Sequence, residues 1–479
     1  MPQNIALLAA VVEQHGHIAY IIDAQAENIS DEVMISRALA LKPDVIAFSC
    51  YSPFFHLNAN AAKKTKEMLK ESGMDIPIIA GGPHITIMKE AILHQYPQFD
   101  FLFVGEAEQS LLNFLNAYQK GKDLSTVSGI IFKAKDKIVV GEAQWIPTLI
   151  EIRGSTYGQE FALDKYPFPA RHLLPMKEYR LGTVDGRMHF TSIHTMRGCP
   201  WHCTFCASEA LKTTRMAMRS PRSVVDEIKQ VLKDYPYITH IFFSDDVLTL
   251  WYEQHMRKIC DLILKERIKI TFEGSTRANL VEDEMIAHMA AAGLVRISFG
   301  LETVDTEMRK SMKKQVPLEQ YSKSNKICNK HNVEASNSVM VGLNGETRET
   351  VRKTLVWLRN AKEVKRANFS VAIPYPGTEL YEMALDGTHG IQLESKDFSQ
   401  YLRYGKAVTT VGDLTPQDLV SLQLEGFISI NSAPWRWGPL LRQHGPSIVI
   451  LFMIRVFMLW KLRLFHNYEP VMVGHPKDL

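Results

Sequence analysis

Three cysteines lie within eight residues of this sequence, at Cys199, Cys203 and Cys206 in the segment RGCPWHCTFC. The Gly and Pro residues of this segment favour turns, so the three thiolates can converge on one metal centre. A closed zinc site needs a fourth Cys or His, whereas a cubane iron–sulfur cluster held by three cysteines keeps one iron open. The spacing therefore favours a cluster. The alternatives are zinc with His202 or a distant His as fourth ligand, and a group of structural free thiols.

The composition is that of a globular protein with room for two or three domains. The chain has 479 residues, of which 46% are hydrophobic and 22% charged. The net charge is only +3, so we expect no nucleic-acid partner. The cysteine pattern does not resemble a secreted disulfide framework, and the N-terminus lacks a secretory-signal pattern. We therefore expect a cytoplasmic protein in which Cys50, Cys260 and Cys328 are buried thiols.

The first part of the chain, about 120 residues, alternates helical and strand-like segments at the spacing of βαβ units. A helical pattern from Ile5 to Val12 leads to a strand-like run at 19–22. Further strands are predicted at 44–49, 76–81 and 100–104, with helices near 30–40, 56–72, 86–96 and 107–119. This alternation predicts a doubly wound, Rossmann-like parallel sheet with a ligand site beyond the carboxyl ends of its strands. The small residues expected at that edge are Ser49, Ser52, Gly81, Gly82 and Gly105.

A second run of alternation begins at residue 189, after a hairpin that turns at Asp136 and an irregular linker at 163–171. Its strands are predicted at 189–196, 239–244, 268–274, 294–300, 333–341 and 365–373, separated by helices such as 224–234 and 282–292. Six parallel units of this kind make a partial TIM-like (βα)6 barrel, whose chemistry lies where the strands end. The polar side chains at those ends are Asp245, Asp246, Arg277, Glu302 and Glu346. Each is equally well explained as a helix cap or a solvated side chain, and Glu346 is interpreted as a cap.

The Cys-x3-Cys-x2-Cys spacing after the first barrel strand strongly resembles the radical S-adenosylmethionine (SAM) enzymes. The resemblance implies a 4Fe-4S cluster on the three cysteines, with its open iron chelated by the amino and carboxylate groups of SAM. Reductive cleavage of SAM, with an electron donor such as flavodoxin or ferredoxin, then yields a 5'-deoxyadenosyl radical. The resemblance also implies SAM contacts from Arg277 and Glu302, from the backbone of Phe205 to adenine, and from Asp245 or Asp246 near the amino group.

The N-terminal domain resembles the cobalamin-binding branch of that family, through residues 81–84 (GGPH) and 104–108 (VGEAE). The resemblance implies that its Ser-rich and Gly-Gly turns embrace the lower face and nucleotide tail of cobalamin, at Ser49, Ser52, Gly81, Gly82 and Gly105. The sequence has no Asp-x-His-x-x-Gly motif, so we expect no protein His below the cobalt. The strand that usually opens this domain is also missing from the pattern.

Four regions are predicted: a cobalamin-binding domain (1–125), a hairpin and linker (126–184), a radical SAM barrel (185–390) and a helical C-terminal region (391–479). In the last region, Thr415 and Pro416 mark a helix start, and residues 446–465 form an apolar stretch interrupted by Arg455. A charge near the centre argues against a membrane span. We interpret this stretch as a helix that covers the barrel, or as a surface that receives a lipophilic substrate or contacts the membrane interface.

The combined resemblance implies a methyltransferase acting on an unactivated carbon of a small biosynthetic intermediate, which is lipophilic if the C-terminal stretch receives it. In such enzymes SAM methylates cob(I)alamin, and a radical from a second SAM abstracts a substrate hydrogen before methyl transfer. One alternative is a non-methylating enzyme, similar to the anaerobic cyclase of bacteriochlorophyll synthesis or the ring-contracting enzymes of hopanoid metabolism. Another is a non-catalytic iron–sulfur or cobalamin-binding protein, which the polar strand ends argue against. The sequence identifies no residue that acts on the substrate.

Overall fold

The computed structural model describes residues 1–135, 137–143, 161–181, 188–208, 210–211, 216–437, 441 and 445–466. The predicted hairpin turn at Asp136 lies outside these residues. The chain divides into two compact units, Met1–Tyr179 with Ala207–Met218, and Arg180–Cys206 with Arg219–Leu479. Each unit has a sheet and a hydrophobic core of its own.

The first unit contains a five-stranded sheet in the order β1-β2-β3-β4-β5. Its strands are β1 (Ile46–Ser49), β2 (Ile78–Gly81), β3 (Phe101–Phe103), β4 (Ile130–Ala134) and β5 (Lys137–Val140). The first three are parallel, and the predicted β4–β5 hairpin continues the sheet in antiparallel pairing. Its helices are α1 (Gln3–Gln14), α2 (Ala24–Glu27), α3 (Asp31–Ala40), α4 (Phe55–Glu71), α5 (Pro83–Met88), α6 (Ala91–Gln95) and α7 (Glu108–Gln119). The predicted Rossmann-like alternation is confirmed.

The strand predicted at 19–22 is not formed. This segment has no ladder partner, and Tyr20 is exposed. In a flavodoxin-like order, the strand after the first helix pairs only with a strand that precedes this helix. The described residues contain no strand before α1, so the segment has no neighbour to pair with. The prediction was wrong because a strand needs a partner as well as a β-branched sequence.

The second unit is built on six parallel strands in the order β6-β9-β10-β11-β12-β13. They are β6 (Phe190–Ile193), β9 (His240–Phe243), β10 (Thr271–Thr276), β11 (Leu294–Glu302), β12 (Glu334–Val341) and β13 (Arg366–Val371). The connecting helices are α8 (Pro221–Asp234), α9 (Met256–Lys265), α10 (Asp283–Ala291), α11 (Thr306–Ser311), α12 (Leu318–Lys330) and α13 (Arg348–Asn360). Two further strands of two residues each, β7 (Met196–Arg197) and β8 (Ala217–Met218), lie between β6 and β9 in the sequence. The six predicted barrel strands are confirmed.

The two faces of this six-stranded sheet differ in chemistry. Along β11, Ile297 and Phe299 are buried in the core that also contains Val351 and Leu355 of α13. The alternate residues of the strand point to the opposite face, because side chains alternate along a strand. That second face is polar in β11, β12 and their neighbours, so the helices cover only the apolar face.

An ionic network lies at the amino ends of the strands on the polar face. Arg296 donates to Glu273 and to Glu334, each at 2.9 Å, and Arg366 donates to Glu334 at 2.7 Å. Two residues further along the strands, on the same face, Ser298 is in register with Ser275 and with Ser336. The interior of the partial barrel therefore changes from paired charges at its base to a layer of hydroxyl groups.

The C-terminal region adds α14 (Glu379–Asp386), the antiparallel pair β14 (Ile391–Leu393) and β15 (Thr409–Val411), α15 (Pro416–Asn431) and α16 (Ser447–His466). Thr415 caps α15 as predicted, in a capping box in which Asp418 accepts from the Thr415 amide at 3.0 Å. The helix α15 packs against β13 and against α16. Among the described residues, no helix combines the length and the apolar composition that a bilayer span requires.

Gly426 sets the distance between α15 and β13, which gives a test of this packing. A Cβ atom at this position would clash with the aromatic ring of Phe369 on β13. We expect Gly426→Ala to lower the free energy of unfolding by roughly 1 to 3 kcal/mol, because overpacking a core forces side chains from their rotamers. Thermal melting should show a lower Tm, whereas exposed Ser432→Ala just beyond the same helix should change it little. An unchanged Tm in Gly426→Ala would contradict this packing.

Candidate functional site

A buried carboxylate holds the chain where it leaves β6 toward the cysteines. Asp245 accepts hydrogen bonds from the Thr195 amide at 2.8 Å, the Thr195 hydroxyl at 2.5 Å and the Met196 amide at 3.2 Å. Burial raises the pKa of Asp245 to about 6, against the effect of these donors. The carboxyl group therefore positions the start of the cysteine loop, and these contacts occupy the oxygens that we predicted for SAM.

The cysteine loop itself is fixed by backbone hydrogen bonds. The Cys206 amide donates to the Cys203 carbonyl at 2.9 Å, which closes a turn. Between them, the buried Thr204 donates its amide to the Met312 carbonyl at 3.2 Å and accepts from the Leu380 amide at 2.9 Å. Met312 directly follows α11, and Leu380 lies in α14. The loop is thus tied to the helices that follow two other strands, β11 and β13, of the same sheet.

The three cysteines of this loop form no disulfide bond and are partly exposed. Burial raises the pKa of Cys199 to about 11 and also raises the pKa of Cys203, for which Lys314 and Arg277 act in the opposite direction. Within the described part of the chain, no three His, Cys, Asp or Glu side chains are grouped to hold a metal ion. Without a ligand, the thiols of Cys199 and Cys203 would be protonated at neutral pH, so metal binding there would release protons.

Arg277 brings a positive charge to the loop from the end of β10. Its Nη1 atom lies 4.0 Å from the Sγ atom of Cys203, and its guanidinium lies over the Trp201 ring at 4.3 Å from the centroid. Its Nε atom is buried and has no hydrogen-bond partner among the described residues. A buried guanidinium nitrogen without a partner is costly, so the site favours an anionic ligand.

A second cation, Lys314, is buried beside the loop. It pairs with Glu302 through Oε1 at 2.7 Å, and its Nζ atom lies 5.8 Å from the centroid of the Phe205 ring. The backbone of Glu302 is left-handed, with φ +61°. A Cβ atom on Gly300 would clash with both the Glu302 carboxylate and the Lys314 amine, so glycine makes room for the pair. The structure thus brings Glu302, Phe205 and the cysteine loop together through a lysine that sequence reasoning missed.

The remaining predicted side chains at the strand ends do not all join this group. Asp246 is exposed, but its charge is close enough to contribute to the raised pKa of Cys199. The cap of α13 is Thr347 rather than Glu346, which corrects the sequence interpretation. Glu346 is buried and accepts from the Thr350 hydroxyl. Burial raises the pKa of Glu346 to about 8, so this carboxyl group is protonated at neutral pH.

In the first unit, the five predicted small residues lie at the carboxyl edge of the parallel strands. Ser49 is in register with Gly81, and its hydroxyl accepts from the Asn4 amide group at 3.2 Å. The Gly105 amide donates to the Thr86 hydroxyl at 3.1 Å. Gly82 has φ +105°, and a Cβ atom there would lie 2.8 Å from the Cys50 carbonyl oxygen. Close backbone packing thus requires a glycine at Gly82, whatever the ligand.

Two side-chain groups next to this edge differ in accessibility. His84, from the GGPH segment, is buried against Phe55 and shares a hydrogen bond with the Ser52 hydroxyl at 3.0 Å. Burial lowers the pKa of His84 to about 4, so the ring is neutral. Three apolar side chains that sequence reasoning missed are exposed just after β1, at Tyr51, Phe54 and Leu57.

Both units match described protein families. Residues 193–358 match the radical SAM superfamily and residues 1–115 match the B12 binding domain. The chain belongs to the B12-binding radical SAM family. The radical SAM match implies SAM and a 4Fe-4S cluster, and the B12 match implies cobalamin.

Relatives of this B12-binding radical SAM enzyme are named for different reactions. An uncharacterized methyltransferase of Pyrococcus horikoshii is 27% identical over 80% of this chain and 78% of its own length. An anaerobic magnesium-protoporphyrin IX monomethyl ester cyclase of Rubrivivax gelatinosus is 25% identical over 84% of this chain and 68% of its own length. The solved structure of the cobalamin-dependent SAM radical enzyme OxsB, with aqua-cobalamin and SAM bound, has the same fold. It has a TM-score of 0.72 and 16% identity, over 98% of this chain and 68% of that one.

The residues present in the barrel fit the implied cluster and SAM. Three thiolates around a 4Fe-4S core leave a net negative charge, and two cations lie beside Cys203. The unpartnered Nε atom of Arg277 fits a carboxylate such as that of SAM. Lys314 occupies Oε1 of Glu302, and Oε2 has no hydrogen-bond partner among the described residues, so it can accept from an ammonium or a hydroxyl group.

The carboxyl edge of the first unit fits a large ligand such as cobalamin. It combines hydroxyl and amide groups at Ser49 and Gly105 with the exposed apolar side chains of Tyr51 and Phe54. Cobalamin also has both kinds of surface, because polar amides surround a planar ring. The five cobalamin contacts of this edge and the SAM contacts of the barrel remain predictions.

A charge substitution at Arg277 tests the SAM site. Arg277→Gln should weaken SAM binding by roughly ten- to a hundredfold without loss of iron, since a charge-assisted hydrogen bond contributes about 1.5 to 3 kcal/mol. Glu302→Gln should also weaken SAM binding. The affinity is measured by anaerobic equilibrium dialysis of the reconstituted enzyme, with Arg257→Gln, an exposed arginine on α9, as the matched control. If Arg277→Gln bound SAM with wild-type affinity, Arg277 would not be a SAM contact.

The buried Glu346 predicts a pH effect on stability. Its pKa in the folded protein, about 8, lies above the ordinary value of 4.5, so the folded state holds a proton that the unfolded state has lost. Stability should therefore fall as the pH rises from the ordinary pKa through the folded one. Glu346→Gln cannot ionise, so its Tm relative to wild type should rise between about pH 5.5 and about pH 8.5. Exposed Glu349→Gln is the control, and a pH-independent difference for Glu346→Gln would contradict the assignment.

The cobalamin prediction is tested at the edge of the first unit. Gly82 is unsuitable for a bulky substitution, because any side chain there strains the backbone. Ser49→Trp should instead block the carboxyl edge and eliminate bound cobalamin while iron in the barrel is retained. Cobalt and iron are measured by elemental analysis of protein made with ample cobalamin. The control is Asp44→Trp, just before the other end of β1, which should keep cobalt. If Ser49→Trp bound as much cobalt as wild type, the predicted site would be refuted.

Proposed function

We propose that this chain is a cobalamin-dependent methyltransferase that methylates an unactivated carbon of a small biosynthetic intermediate. The observation that carries the proposal is the pair of cations beside the cysteine loop, in a chain that also matches a B12 binding domain. When bound, the cluster and SAM would supply a 5'-deoxyadenosyl radical that abstracts a substrate hydrogen, and cobalamin would supply the methyl group. The relative named a methyltransferase supports this choice.

In this proposal each residue of the barrel site has a defined task. Cys199, Cys203 and Cys206 hold the cluster. Arg277 binds the SAM carboxylate, and Trp201 keeps the guanidinium in place by stacking under it. Glu302 accepts from SAM through the oxygen that Lys314 leaves open. Asp245 acts as a positioning residue, because its contacts are with the loop and not with the ligand.

Phe205, Asp246 and the first-unit residues complete the assignment. Phe205 would contact adenine through its backbone, and Asp246 would lie near the SAM amino group. Ser49, Ser52, Gly81, Gly82 and Gly105 would hold cobalamin. These roles are the ones that the family resemblance implies for these residues.

The polar face of the six-stranded sheet supports a substrate that presents hydrogen-bonding groups to the barrel. Ser275, Ser298, Ser336 and Ser338 each lie between two buried residues of their strands. The Asn368 amide also donates to the Ser336 hydroxyl at 3.2 Å on this face. Hydroxyl and amide groups can both donate and accept, so they suit a polar, uncharged part of a substrate. Any lipophilic part of the substrate would lie outside this layer.

A second candidate is a cyclase or ring-rearranging enzyme that uses the same radical without methyl transfer. The relative from Rubrivivax gelatinosus, named a cyclase, favours it. The cysteine loop and the two cations serve both reactions equally well. For either reaction we propose a cytoplasmic enzyme that receives electrons from a donor such as flavodoxin or ferredoxin.

Product analysis separates the two candidates. Anaerobically reconstituted enzyme with SAM and a chemical reductant is assayed for 5'-deoxyadenosine and, separately, for S-adenosylhomocysteine. A methyltransferase should form both products, and protein prepared without cobalamin should lose only S-adenosylhomocysteine. Formation of 5'-deoxyadenosine alone by the cobalamin-loaded enzyme would favour the cyclase. Absence of both would refute the radical chemistry.

A further inference from the structure

The outward side of α16 is apolar over much of its length. We use the name outer face for six of its exposed side chains: Ile450, Met453, Ile454, Phe457, Met458 and Trp460. Ile450 is 64% exposed, Met453 61% and Phe457 58%. Large exposed apolar patches on soluble proteins commonly mark binding surfaces.

The other side of the same helix packs against the protein. Leu459 is buried in the core of the barrel unit, and Leu462 packs against that core. Arg455 also points inward, with its guanidinium 4.0 Å from the centroid of the Phe427 ring on α15. Because the central charge of the helix stacks on an inner aromatic ring, the outer face has no charged side chain between Ile450 and Trp460.

The width of the outer face distinguishes between occupants. At about 100° per residue, the six side chains span about 160° of the helix circumference. A helix on a globular protein normally has one apolar stripe of about 100°, which α16 already uses on its inner side. One partner helix would cover only a narrow stripe of the outer face. A lipid surface can cover the whole arc, because it adapts to the shape of the side chains.

The composition of α16 and the exposed aromatic residues of the same unit match those of interfacial proteins. The helix contains no acidic residue, and exposed Lys461 directly follows Trp460. Tyr404 and Trp435, in the same unit, are also exposed. Tryptophan and tyrosine concentrate at membrane–water interfaces, and lysine is attracted to anionic lipid headgroups.

We propose that the outer face of α16 binds the surface of an anionic phospholipid bilayer, with the helix lying in the interface plane. The position of Arg455 supports this orientation, since a spanning helix would place that charge in the hydrocarbon layer. This proposal does not rest on methyl transfer. An enzyme held in this way would meet substrates or products that partition into the membrane.

Vesicle flotation of the full chain tests the proposal. Wild type should float with vesicles of phosphatidylcholine containing about 30% phosphatidylserine, and less with phosphatidylcholine alone. The double variant Met453→Glu with Phe457→Glu should bind roughly tenfold more weakly or worse, because two apolar side chains no longer enter the interface. Leu264→Glu with Leu385→Glu places the same charges at exposed apolar positions of α9 and α14, and should float like wild type.

Two further measurements keep the test independent of folding. Circular dichroism should show the same helix content and Tm in the outer-face variant as in wild type. If the variant is unstable, wild-type Trp460 fluorescence should shift to the blue with the anionic vesicles, and the shift should be lost in Trp460→Phe. Light scattering measures the oligomeric state. The proposal would be overturned if wild type did not float with the anionic vesicles. This holds whether wild type is a monomer or a dimer that the double variant dissociates.

Discussion

Two cations beside a loop of thiols set the main physical constraint on the barrel. Lys314 is buried, and its charge is matched by Glu302 at 2.7 Å. Arg277 stacks on Trp201, but its buried Nε atom has no hydrogen-bond partner among the described residues. Placing positive charge in a partly desolvated site is costly unless negative charge is close by. A cluster held by thiolates, together with the carboxylate of SAM, supplies this charge, so the cations and the ligands favour one another.

The rest of the barrel keeps these charged groups in place. Asp245 fixes the chain between β6 and the cysteine loop, and Thr204 ties the loop to the helices that follow β11 and β13. Gly300 leaves the space that the Glu302–Lys314 pair fills. All of these contacts lie where parallel strands end, which is where ligand sites form in sheets of this kind. The first unit follows the same rule, with Ser49 and Gly81 side by side at its carboxyl edge.

Sequence patterns predicted the parts of the structure that depend on local order. Strand–helix alternation identified the parallel strands of both sheets, and the Thr415–Pro416 pair identified the start of α15. The same patterns failed where a partner decides the outcome, as for the unpaired segment 19–22. Neither the role of Asp245 nor the presence of Lys314 at the site could be predicted, because each depends on a residue distant in sequence. The inward direction of Arg455 was likewise hidden, since it depends on Phe427.

The most direct test of the account is whether the cysteine loop holds the cluster that the two cations favour. Enzyme reconstituted anaerobically with iron and sulfide is analysed for iron, and its reduced form is examined by electron paramagnetic resonance with and without SAM. Wild type and Cys260→Ala, whose thiol is buried in the core, should show a reduced cluster whose signal changes with SAM. The triple variant of Cys199, Cys203 and Cys206 to Ala should show neither iron nor signal. Wild-type iron and absorbance in that triple variant would contradict the account.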